Sequence, residues 1–126
     1  MRAVDTNVLI RLITRDDVKQ AAAAEKFVSS GAWVSHLVLA EAMWVLEVVF
    51  ERNSEQIALA VEMLLDHATL TVQDADVVAA ALSHFRRRPA PDFSDCLVLA
   101  IARKAGNLPL GTFDRALGKL DGTERL

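Results

Sequence analysis

Four acidic residues, Asp5, Glu41, Asp95 and Asp114, stand in contexts where a carboxylate calls for an explanation. Around Glu41, the residues three and four positions away on a helix are Leu37, Val38, Trp44 and Val45, all apolar. A helix apolar nearly all round is expected to be buried, and an ionised carboxylate in it must be neutralised, paired or bound to a cation. Pairing with a buried Arg and a partly exposed helix edge are the plainer readings. Asp5 stands in the string Val4-Asp5-Thr6-Asn7. An acid at the end of a buried strand, followed by small polar side chains, suits a hard cation, and it equally suits a helix N-cap. Asp92 and Asp95 stand three apart in Asp92-Phe93-Ser94-Asp95. That spacing fits an N-cap with its capping box, and it also lets an acid of the first turn project into a crevice. Asp114, after Gly111-Thr112-Phe113, has the same two readings.

The combination says more than any one residue. Two carboxylates 4–6 Å apart repel by roughly 3–4 kcal/mol at an effective dielectric near 20. A cluster of them is stable only if a divalent cation offsets the repulsion or some acids are protonated. Oxygen ligands without a Cys or His partner point to Mg²⁺ or Mn²⁺ over Zn²⁺. His36, His67 and His84 have no mutual spacing that suggests a catalytic pair, and Cys96 reads as a packed thiol.

The elements that must position these acids alternate between strand and helix. Arg2-Ala3-Val4 reads as a strand ending at Asp5, followed by a helix through about Leu12. Asp16 or Asp17 caps a second helix that ends before Gly31. Ala32-Trp33-Val34 is expected as a short buried strand, with Ser35 capping a long helix through about Arg52. Asn53 or Ser54 caps the next helix, with Ile57, Val61, Leu64 and Leu65 at helical spacing. Leu70-Thr71-Val72 reads as a strand, and Asp74 or Asp76 opens a helix to about Arg87. Arg88-Pro89-Ala90-Pro91 breaks the chain, after which Asp92 restarts a helix ending near Gly106. Leu108-Pro109-Leu110 is a sheet edge, and Thr112-Phe113-Asp114 turns into a last short helix. Alternation of this kind implies a parallel α/β sandwich, whose functional crevice lies at the carboxyl ends of the strands.

Composition narrows the classes. The 126 residues fit one domain with a real core, and 52% hydrophobic with 25% charged residues is a compact protein's balance. Leu37 to Phe50, the most apolar stretch, contains Glu41 and Glu47 and is too short to span a bilayer. The N-terminus is interrupted by Asp5, Asn7 and Arg11, unlike a signal peptide, so a cytoplasmic location is expected. A single cysteine excludes an intramolecular disulfide. The formal net charge of -3 excludes nucleic-acid binding by blanket electrostatics alone. Cations held by the carboxylates could supply the missing positive charge.

Val4-Asp5-Thr6-Asn7-Val8-Leu9, Leu39-Ala40-Glu41, Asp92-Phe93-Ser94-Asp95-Cys96-Leu97 with Ala102 downstream, and Thr112-Phe113-Asp114 together resemble the PIN-domain ribonucleases. Within these the pattern is most similar to the VapC toxins of bacterial VapBC toxin–antitoxin systems. The resemblance runs over essentially the whole chain, in order, so residues 1–126 are expected to form a single PIN domain. It implies a three-layer α/β/α sandwich with a central, mainly parallel sheet. It implies that Asp5, Glu41, Asp95 and Asp114 coordinate Mg²⁺ or Mn²⁺, with Asp5 and Asp95 as primary ligands. Thr6, Asn7 and Thr112 match polar positions that hold acids and waters, and Asp92 is a further acid at the rim. The implied activity is metal-dependent endoribonuclease cleavage of RNA phosphodiesters. Arg11, Arg86, Arg87 and Arg115 are candidate contacts to the RNA backbone, as are Arg88, Arg103 and Lys104. The implied partners are a cognate antitoxin and a second copy in a homodimer, with no membrane.

Two other classes compete. A phosphotransfer domain of receiver or haloacid-dehalogenase type also has an aspartate after its first strand. The dehalogenase type wants an acid where Asn7 stands, and a receiver's central phospho-accepting Asp and late Lys are not evident. A non-enzymatic metal-binding module would bind the ion without cutting RNA.

Overall fold

The structure is a computed structural model and describes residues 1–88 and 90–126. It divides into two compact units, Met1–Ala75 and Asp76–Leu126. Both are α/β in character and all their strand pairing is parallel, the expected fold class.

In the first unit, β1 (Arg2–Ala3), β2 (Ala32–Val34) and β3 (Leu70–Val72) form one sheet in that order. Arg2 pairs with Ala32, and Val34 with Val72. Parallel neighbours need a crossover, and helices supply it. α1 (Thr6–Thr14) and α2 (Val18–Val28) join β1 to β2, while α3 (His36–Val48) and α4 (Ser54–Asp66) join β2 to β3. Each helix starts at a side chain that accepts a backbone N–H: Asp5, Asp17, Ser35 and Asn53. Asn53 and Gln56 complete a reciprocal capping box. Leu9, Ile10, Val28, Leu39, Leu46, Val61 and Leu64 form the fully buried interior of this unit.

Burial within the sheet is one-sided. Ala32, Val34, Leu70 and Val72 face inward, while Thr71 is exposed and Trp33 is 37% exposed. The strand expected to be buried at residues 32–34 therefore hides alternate side chains, the period-2 pattern of a half-covered sheet. α3 is also shorter than expected, ending at Val48, and Glu51 leaves the helical region with φ 52°.

The second unit contains α5 (Ala75–Arg87, its first residue contributed by the first unit), α6 (Phe93–Lys104), β4 (Leu110–Thr112) and β5 (Thr123–Arg125). A short 3₁₀ turn spans Leu117–Lys119. Asp76 pairs with Lys104 and the Phe85 ring meets Phe93 edge-on, so α5 and α6 run antiparallel. α6 ends two residues before Gly106, which adopts φ 79°. Gly106 N–H donates to the Arg103 carbonyl and Asn107 N–H to the Ala102 carbonyl, a Schellman termination. The chain break expected at residues 88–91 is seen in its flanks, and Pro89 lies outside the described residues.

The strand expected at 108–110 is displaced to Leu110–Thr112. Pro109 has no N–H to give, and the first ladder bond runs from Leu110 N–H to the Gly122 carbonyl. Its partner β5 has no apolar alternation and is not legible in the sequence. Leu99, Leu117 and Leu120, with Leu110 beside them, form the small core beneath this pair.

Candidate metal centre

Because β1, β2 and β3 are parallel, their carboxyl ends lie along one edge. Asp5 follows β1 there, Ser35 and His36 follow β2, and Gln73 follows β3. Gln73 fastens this edge: its N–H donates to the Val34 carbonyl (2.8 Å), and its side-chain oxygen accepts from His36 N–H (2.9 Å). Asp5 Oδ1 accepts from Val8 N–H at 3.3 Å and so caps α1. That bond is long and uses one oxygen, leaving an exposed carboxylate with acceptor capacity at the strand edge. The capping reading of Asp5 and the ligand reading are compatible.

Glu41 lies in the second turn of α3, the helix that leaves the same edge. It is exposed, and so is the stripe it belongs to, with Leu37 77%, Trp44 54% and Val48 54% exposed. The expectation that apolar neighbours bury Glu41 is therefore wrong. α3 buries Leu39, Ala42, Met43 and Leu46 on one face and leaves apolar side chains in solvent on the other. An exposed carboxylate needs no buried partner, so the argument from burial does not apply to Glu41. Thr6 opens α1 and is half-buried; Asn7 beside it is exposed.

In the second unit the acids do come together. Asp92 Oδ1 accepts from Asp95 N–H at 2.9 Å and caps α6. Thr112 Oγ1 accepts from Asp114 N–H at 3.0 Å, and Asp114 Oδ1 accepts from Leu117 N–H at 2.9 Å. Thr112 thus fixes the turn that presents Asp114. The Asp95 carboxyl, half-buried, is pushed up to about 6. Burial is the main cause, followed by repulsion from Asp92 and then Asp114, and by hydrogen bonding with Asp92 that favours the protonated form. Cys96 next to it is buried, and burial, followed by repulsion from Asp92 and Asp95, pushes its thiol up to about 11, so it stays protonated.

The donor chemistry of Asp92, Asp95 and Asp114 suits a hard divalent cation, which would relieve the repulsion that Asp95 feels. Among the described residues no group of three or more His, Cys, Asp or Glu side chains closes tightly enough to enclose an ion. The carboxylates crowd Asp95 without forming a finished cage.

The predicted RNA-contacting cations differ in their surroundings. Arg11 is held between α1 and α2, donating to Gln20 (2.6 Å) and Asp16 (2.8 Å). Arg86, Arg87 and Arg115 are exposed. Two histidines were not singled out by sequence reasoning. His36 and His84 each carry a buried Nε2 atom with no hydrogen-bond partner, whereas His67 Nδ1 accepts from Thr69 N–H. The His84–Arg87 spacing, three apart on α5, is the one sequence signal that could have pointed to His84. No helix among the described residues is long and apolar enough to cross a membrane.

A family model described as PIN domain matches residues 2–123. No curated protein matches the chain.

Proposed function

Since this chain belongs to the PIN domain family, whose members are in general metal-dependent nucleases, we propose that it is an endoribonuclease using Mg²⁺ or Mn²⁺. The strongest support is the carboxylate trio Asp92, Asp95 and Asp114, in which the other two repel the ionised Asp95, a repulsion that a cation would relieve. In this reading residues 1–126 act as one domain. Asp5 and Asp95 supply primary oxygen ligands, and Glu41 and Asp114 complete the set or orient water. When bound, a divalent cation supplies Lewis acidity and neutralises charge developing on the phosphate oxygens. Asp95 loses its proton near pH 6 and is ionised, hence a competent oxygen donor, at neutral pH. Asp92 and Thr112 keep Asp95 and Asp114 in place through main-chain hydrogen bonds.

The toxin role, the antitoxin partner and the homodimer follow from the resemblance to VapC. Expression of the chain without an antitoxin, with sequencing of the resulting RNA ends, tests all of the activity at once. Defined new 5′ ends that vanish in Asp95→Asn support the reading. Unchanged RNA, together with no cleavage by pure protein in Mg²⁺ or Mn²⁺, sinks it. A metal-dependent shift in melting without cleavage would favour the binding module.

A further inference from the structure

The groove between α5 and α6 encloses about 520 Å³, within the size range of small-ligand sites. His84, Arg87, Arg103 and Lys104 line it, with Val77 and Leu99 in its apolar wall. Its positive charge is incompletely answered. Lys104 pairs with Asp76, but Arg103 donates to a main-chain carbonyl, that of Asp121, at 2.9 Å. Arg87 makes no ion pair among the described residues. Asp121 is the other acid at the wall.

Basic residues near helix C-termini are favoured by the helix dipole, which accounts for each cation singly. It does not account for the buried, unpartnered Nε2 of His84 in their midst. Burial, then the charges of Arg87, Arg88 and Arg103, hold the imidazole below its usual range, so it is neutral at pH 7 and can donate one N–H. With its proton on Nε2 and the ring turned toward the groove, His84 would donate to a ligand that also answers the guanidinium charges, an oxyanion, and the apolar wall suits a ribose or base attached to it.

We infer that the α5–α6 groove is a phosphate site that holds a backbone phosphate of single-stranded RNA, a contact separate from the carboxylates of Asp92, Asp95 and Asp114. The inference takes its ligand from the nuclease reading, while the anion chemistry stands on the groove alone. The test uses the full chain in EDTA, where no cleavage occurs, with a fluorescently labelled single-stranded ten-nucleotide RNA. Arg87→Glu is expected to weaken binding at least tenfold with an unchanged melting temperature, and Arg87→Gln to fall between it and wild type. Inorganic phosphate should shift the imidazole proton signals of His84 and leave those of His67 in place. Binding of the RNA by Arg87→Glu within twofold of wild type, or His84 signals that ignore phosphate, overturns the site. If phosphate and adenosine monophosphate move His84 but the RNA does not bind, the groove serves a free phosphate compound and the RNA contact is overturned. Loss of cleavage in Asp95→Asn bears on the nuclease reading alone, because the groove is measured by binding.

Discussion

Asp95 combines partial burial with two carboxylate neighbours, and its protonation carries a stability consequence. Its folded-state value of about 6 lies above the unfolded value of about 4, so the folded chain binds the proton more tightly. Its contribution is therefore full below pH 4 and is lost as pH rises through about 6. The metal-free protein should accordingly lose stability between pH 4 and 6, against the usual trend for paired carboxylates. Urea denaturation in EDTA at several pH values measures this, and Asp95→Asn should flatten the dependence. The same substitution should reduce RNA cleavage by more than about 100-fold, beyond the loss typical of residues that merely support a ligand. A gel assay alongside a melting curve separates lost chemistry from lost fold.

Side-chain caps set where several helices begin, and the residues at the candidate site do double service as caps. Ser35 Oγ accepts from Val38 N–H at 3.1 Å and starts α3 at the strand edge beside Asp5. Ser35→Ala should cost about 1 kcal/mol in urea denaturation, and Ser35→Asp should recover most of it. Asp92 is the sharper case, because it both caps α6 and raises Asp95. Asp92→Asn retains the capping acceptor and removes the charge. Stability should then be kept or improved in metal-free protein, and Asp95 should titrate lower, as carboxyl NMR signals would show. A fall of more than about 1 kcal/mol would mean that the charge of Asp92 steadies α6 through the helix dipole more than it repels Asp95.

For the whole chain, a cation that binds only the folded state must raise its stability by mass action. Saturating Mg²⁺ or Mn²⁺ should raise the melting temperature at pH 7.5, with EDTA reversing it and Asp95→Asn abolishing it. Calorimetry with each metal reads this directly. Absence of any shift at millimolar metal, with wild-type RNA cleavage still sensitive to EDTA, would place the ion in the enzyme–RNA complex instead. Exposed apolar side chains on α3, among them Leu37, Trp44 and Val48, mark the surface most exposed to association. Sedimentation velocity of wild type and Trp44→Glu measures whether the homodimer proposed from the VapC resemblance forms there.

Local signals settle much of this protein. Ser35, Asn53 and Asp92 were legible as caps because a cap acts on backbone within three residues, and β2 and β3 were legible because short apolar runs between helices have few other uses. The acids at Asp5, Glu41, Asp95 and Asp114 were legible as candidates through type and order along the chain. Tertiary structure alone decided burial, which depends on what packs against a side chain and not on its neighbours along the helix. That is why Glu41, among apolar neighbours, proved exposed. It is also why β5, whose ladder partner lies a dozen residues upstream, had no local signature. Asp95's raised pKa and the unpartnered Nε2 of His84 belong to the same class, since both arise from groups that only folding brings near.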